Sequence, residues 1–162
     1  MTFISESIID KILTQLETDQ SKMDKFLDQL TDQQEYIVAY LLDEDGETVL
    51  SEDEQDYLIF LAIVIWRSFI EAGAKLPEIN MEQLNETEDK NWGLINESSS
   101  ALFYERVSPF FEGYPQEDLL AFVEDSVNAD DDDDNTISSI GKEPVFIKLK
   151  TLIDVLMENA AY

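Results

Sequence analysis

The chain has 162 residues, 44% of them apolar and 10% aromatic, and its 37 acids against 10 bases give a net charge of −27. That length and apolar content fit one domain with a filled core, which excludes wholesale disorder despite the charge. With no cysteine and no histidine, disulfides, thiolate chemistry, Cys-based zinc sites, Ser–His–Asp triads and Glu-x-x-His di-iron sites are excluded as well.

Five glycines and four prolines are few for a protein rich in strands and tight turns. The expected fold is all-α. It is a single compact domain over 1–162, with seven or eight helices around a central apolar helix at about 52–74. From Phe3 to Leu16, apolar residues at 4, 8, 12 and 16, and at 9 and 13, form one face of a helix. Met23, Phe26, Leu27 and Leu30 repeat the pattern in a second, shorter helix. Thr31-Asp32-Gln33-Gln34 matches a capping box, which predicts a third helix from about Asp32 to Leu42. Its Tyr36–Leu42 stretch is apolar on every side and is expected to be well buried.

Asp43-Glu44-Asp45-Gly46-Glu47 breaks that helix. Ser51-Glu52-Asp53-Glu54 is a second capping box, and its acids suit the positive end of the helix dipole. The helix that follows contains the longest apolar run, Tyr57 to Trp66. Ten residues make about half a membrane span, so this is a core helix, ended by Gly73 and Pro77. Asn80 caps the next segment, whose stripe runs through Met81, Leu84, Trp92, Ile95 and Leu102. It reads either as one helix bent near Gly93 or as two with a short break, stopped by Pro109. Pro115 is expected at the first position of a helix carrying Leu119, Leu120, Val123 and Val127. Five consecutive acids, Asp130–Asp134, then predict an exposed acidic loop at about 129–141. Pro144 opens a last helix with Val145, Leu149, Leu152, Ile153 and Leu156 on one stripe. No repeat of 30–50 residues is present, so a solenoid is not expected.

The acidity is global: residues 1–50, 51–110 and 111–162 carry −9, −8 and −10. Such a surface repels nucleic acid and anionic lipid and attracts cations over a Debye length of about 8 Å. The Asp130–Asp134 run invites a calcium reading. In EF-hand register from Asp130, acids fall at positions 1, 3 and 5, but Asn135 replaces the glycine and Gly141 replaces the closing glutamate. Starting at Asp132 places Glu143 last but loses the middle ligands. Weak cation binding by Asp130, Asp132 and Asp134 is all the run supports. Asp43-Glu44-Asp45-Gly46 with Glu52 fails likewise, because Leu41 would hold the first ligand position. Glu82, Glu86 and Lys90 read as a solvated face. Lys142, Lys148 and Lys150, the one basic cluster, read as charge compensation within the fold. Phe110-Phe111 lies between Pro109 and Pro115, in a connection between helices, and must dock onto the core or serve a partner.

No catalytic, cofactor or definite metal residues are expected. The leading expectation is a non-enzymatic interaction protein for a basic protein partner, one version being an immunity-type or nucleic-acid-mimic inhibitor of a basic enzyme. The partner-binding candidates are Phe110, Phe111, Tyr114, Asp131 and Asp133. The alternatives are a structural or housekeeping domain, homodimeric in one version, and a weak calcium-binding or carboxylate-only enzyme. Direct nucleic-acid binding and membrane association are not expected. MTFISESIIDKIL has neither the early positive charge nor the cleavage site of a signal peptide, so the expected location is cytoplasmic.

Overall fold

The computed structural model describes residues 2–42, 49–128 and 137–162. The described residues form eight α-helices and one short 3-10 turn, with no strand. The helices are α1 (Glu6–Thr18), α2 (Gln20–Gln33), α3 (Glu35–Leu42), α4 (Glu52–Glu71), α5 (Met81–Ile95), α6 (Phe103–Val107), α7 (Glu117–Val127) and α8 (Lys142–Asn159), with the 3-10 turn (Ser108–Phe111) after α6. The expected fold class is correct.

The centre holds two helices, where one was expected. α4 packs against α1, α2, α3 and α8, while α8 packs against α4, α5 and α7. The unbroken apolar run from Leu58 to Trp66 follows from this, because α4 has neighbours on most sides and only Ile59 and Phe60 of the run are partly exposed. α8 is as deeply covered, with Val145, Phe146, Ile147, Leu149, Leu152, Ile153, Val155 and Leu156 all buried. Each such side chain contributes about 1.5–3 kcal/mol of transfer free energy.

Local capping chemistry sets several of the ends. Ser51 Oγ accepts from Glu54 N–H (3.2 Å) and Glu54 Oε1 accepts from Ser51 N–H (3.0 Å), closing the predicted box at α4. Asn80 and Gln83 form a second box at α5. α4 ends at Gly73, whose φ of 95° is the left-handed value that a glycine tolerates at no steric cost. There the Ala74 N–H reaches Phe69 C=O and the Gly73 N–H reaches Ile70 C=O, satisfying the last carbonyls. Lys75 then exchanges two backbone hydrogen bonds with Ala161, tying this corner to the last residues of α8's extension.

Other local expectations are overturned. Thr31 does not cap: it lies inside α2, and its hydroxyl donates to Leu27 C=O (2.8 Å). A mid-helix threonine has that carbonyl within reach, so the same sequence serves a helix interior as readily as a start. The third helix therefore begins at Glu35, and α3 is half-exposed, with Tyr36 and Ala39 facing out. The segment after Asn80 takes one of its two expected forms, two helices, α5 and α6, with a break at 96–102. α7 starts at Glu117, so Pro115 sits in the turn before it. Of the expected exposed loop at 129–141, Asp130–Asp134 lie outside the described residues. Within 137–141, residues 138–140 are exposed but Ile137 and Gly141 are buried, so this end of the segment is docked.

Two buried glutamines make one structural device twice. Gln34 Oε1 accepts from Ile79 N–H (2.9 Å) while its Nε2 donates to Pro77 C=O (2.8 Å). Gln116 Oε1 accepts from Ile4 N–H (2.9 Å) while its Nε2 donates to Thr2 C=O (2.9 Å). In each case the amide pairs with an extended backbone at residues i and i−2, as a neighbouring strand would. A carboxylate could accept but not donate, so only an amide satisfies both groups. Gln116→Ala is expected to destabilise the protein by about 1–2 kcal/mol and to speed exchange of the Ile4 amide well before the α4 amides. Hydrogen exchange checks this, and unchanged Ile4 protection would contradict the clamp.

Candidate functional site

Three places concentrate chemistry: a cleft between α1 and α7, the aromatic connection after α6, and a buried polar cluster under α8.

The cleft is built from one face of each helix. Glu6, Ile9 and Asp10 line it from α1, and Asp118, Ala121, Phe122 and Asp125 line it from α7, around a cavity of about 180 Å3. The floor is apolar and the walls carry four carboxylates, with no cation among them. Asp118 also accepts from the Glu6 N–H (3.0 Å), so α7 supplies a cap that Ser5 does not. Beside the cleft, burial and then the adjacent Asp125 charge raise the pKa of Glu124 above the ordinary glutamate range. The sequence expectation missed this site. Its signal was present in the i,i+4 spacing of Glu6 and Asp10 and the i,i+7 spacing of Asp118 and Asp125. Nothing local says that the two helices face each other.

The aromatic connection docks onto the core. Phe110 is only 9% exposed, with its ring 5.8 Å from that of Phe146 on α8. Its ring forms part of the wall of the core. Phe111 and Tyr114 are partly buried against the same core. Tyr114 donates to Asp154 Oδ1 (2.5 Å). Burial, with the Asp154 charge and hydrogen bond, pushes its phenol well above the usual tyrosine range, so it remains a donor. Asp131 and Asp133, like the calcium candidates Asp130, Asp132 and Asp134, lie outside the described residues. Among the described residues no group of three acids converges on a place that could hold a metal ion.

The polar cluster joins α5, α8 and the connection. Lys150 is 6% exposed. Its Nζ donates to Asp154 Oδ2 (2.7 Å) and Asn91 Oδ1 (3.0 Å) and lies 4.9 Å from the ring centres of both Phe110 and Tyr114. The Asn91 amide donates to Thr151 Oγ1 and Asp154 Oδ2, both at 3.1 Å. Every buried side-chain nitrogen and oxygen here has a partner, so the cluster is a structural knot. Lys148 lies 3.5 Å from Glu88 and 4.0 Å from the centre of the Tyr40 ring. Lys148 and Lys150 thus compensate charge within the fold, as expected, while among the described residues Lys142 reaches Asn128.

The other cations are engaged or scattered. Lys11 pairs with Glu71 and Arg106 with Glu143 at 2.9 Å. Arg67 lies 4.4 Å above the centre of the Phe26 ring, and its buried Nε has no hydrogen-bond partner among the described residues. Glu82, Glu86 and Lys90 are exposed, as expected of a solvated face. No described helix is long and apolar enough to cross a membrane. Comparison with protein-family models, with curated proteins and with solved structures finds no match for the chain.

Proposed function

We propose that this is a non-enzymatic interaction domain for a basic protein partner, with the α1–α7 cleft receiving a cationic side chain. The observation that carries the reading is the cleft's composition: four carboxylates over an apolar floor of Ile9, Ala121 and Phe122, with no cation in the lining. A lysine or arginine matches both parts, its methylene stem on the floor and its charged head at the walls. The balance of charge supports the same reading. Among the described residues four cations are held in ion pairs with the protein's own acids, and with 37 acids against 10 bases the negative surplus is available to steer a basic partner.

Binding of a short fluorescent Lys-rich peptide tests this. Affinity is expected to fall steeply as salt rises to about 0.15 M, where the Debye length is about 8 Å. Reversing Asp10 and Asp125 to lysine is expected to weaken binding at low salt about tenfold or more, since a close charge pair is worth about 1.5 kcal/mol or more. Reversing the exposed Glu17 and Asp24, away from the cleft, is expected to cost less. No binding at low salt would defeat the proposal. Equal losses in the two double variants would replace the cleft with a diffuse field.

A further inference from the structure

A second cavity, of about 270 Å3, lies where the C-terminal end of α5 meets the 3-10 turn, lined by Leu94, Glu97, Ser98, Arg106, Pro109 and Phe110. Phe110 is fixed from behind by Phe146. Leu94, 51% exposed, stands at the opening. Leu102 and Tyr104, in the same stretch of chain, are 63% and 65% exposed. Three large apolar side chains left in water within eleven residues exceed the scatter of single exposed leucines that any surface shows.

Arg106 gives the cavity its character. Its guanidinium donates to Glu143 Oε1 (2.9 Å), to the Ser98 and Ser100 carbonyls (both 3.2 Å) and to Asn96 Oδ1 (3.2 Å). All three nitrogens are engaged inside the fold, so the one cation of the lining serves as scaffold for the 96–102 connection and offers little to an anion. Glu97, Glu105 and Glu112 are exposed in the surrounding chain. The result is an apolar recess within an acidic setting.

We propose that this recess seats one apolar side chain, aromatic or leucine, of a cationic protein segment, and so anchors the interface of the basic partner. The inference rests on the reading given under Proposed function and names a contact that charge alone does not supply. Other occupants fit less well. A second copy brings another −27 of charge against the same acids. Membrane surfaces are themselves negative. At about 270 Å3 the recess lies at the small end of ligand pockets, which run to about 300–1,000 Å3, and takes a single anchor residue. A central apolar pocket with a charged surround is also the arrangement in which a few buried aromatics carry most of the binding energy.

Two labelled Lys-rich peptides, identical except for a central tryptophan in one and alanine in the other, test the proposal by fluorescence anisotropy. The tryptophan peptide is expected to bind at least about tenfold more tightly, in line with aromatic hot spots, with the same salt dependence as its alanine twin. Leu94→Ser, at an exposed position of the lining, is expected to remove much of that gain and to leave the alanine peptide unaffected, whereas Leu102→Ser, outside the lining, is expected to remove less. Equal binding of the two peptides to the wild-type protein would overturn the recess as an anchor while leaving the charge-based reading intact. A tryptophan gain that survives Leu94→Ser would also overturn it, by placing the anchor elsewhere. Failure of both peptides to bind at low salt would remove the parent reading, and this inference with it.

Discussion

Replacing Lys150 with methionine is expected to lower the melting temperature by about 6–12 °C, the equivalent of about 3 kcal/mol in a domain of this size. Methionine fills most of the same volume, so the loss isolates the ammonium. Without it, Asp154 keeps its charge with only Tyr114 and Asn91 as donors, and Asn91 Oδ1 loses its donor. A partly buried carboxylate deprived of its cation is the costly outcome. Lys150 also lies between the Phe110 and Tyr114 rings, so its removal loosens the aromatic connection as well as the α5–α8 contact. Adding Asp154→Asn to Lys150→Met is expected to restore about half of the loss or more. The asparagine still accepts from Tyr114 and leaves no unpaired charge. Thermal melts of the two singles and the double close the cycle. A neutral or stabilising Lys150→Met would mean that the knot contributes nothing to holding α5 and the connection on α8.

Glu54→Gln is the second large expectation, at about 2–3 kcal/mol, combining a lost cap with weakened charge-assisted hydrogen bonds. Glu54 Oε1 caps α4 through Ser51, and Oε2 accepts from both the N–H and the hydroxyl of Ser138 (2.9 Å each). One carboxylate therefore joins the start of α4 to the chain entering α8. A glutamine amide cannot accept at both ends. The packing is close: a Cβ at Gly141 would lie 2.6 Å from Glu54 Oε2, which is why glycine stands there. Burial works to raise the Glu54 pKa, but the hydrogen bonds from Ser51 and Ser138 together outweigh it, and the folded value lies below the ordinary 4.5. A carboxyl whose folded pKa is depressed stabilises the native state fully above its unfolded pKa, and loses that stabilisation as pH falls through the folded value. The stability difference between wild type and Glu54→Gln is thus expected to be constant near neutrality and to shrink below about pH 4.5. Taking the difference removes the general relief of self-repulsion that protonating other acids brings. Denaturant titrations at several pH values measure it, and a difference that grows on acidification would contradict the sign.

The cleft and the recess differ in how far the chain alone reveals them. Leu102 stands in the sequence as a member of a diluted stripe, and Leu94 lies outside that stripe. The exposure of Leu102 follows from the break at 96–102, whereas Leu94 lies within α5 off its buried positions Leu84, Asn91 and Ile95. Phe110 was legible as a loop aromatic that must dock or serve a partner. Docking prevailed because Phe146, on a helix far along the chain, offers it a ring to pack against. Asp10 and Asp125 carried no individual signal in a chain with 37 acids, and they acquire meaning only once α1 and α7 face each other.

By itself the sequence determined what short-range physics controls. Apolar spacing made α1, α4, α7 and α8 helical. Ser51–Glu54 and Asn80–Gln83 started two helices, Gly73 closed one, and the composition set both the charge and the missing chemistry. Each of those effects acts within about one or two turns of chain or through a simple count. The tertiary structure alone decided that two helices share the centre, that Thr31 bonds backwards, that Asp118 caps another helix, and that Gln34, Gln116, Glu54 and Lys150 tie distant segments. Those contacts join residues up to 114 positions apart, and a polar side chain's partner at such a distance is set by how helices pack, which no local pattern encodes.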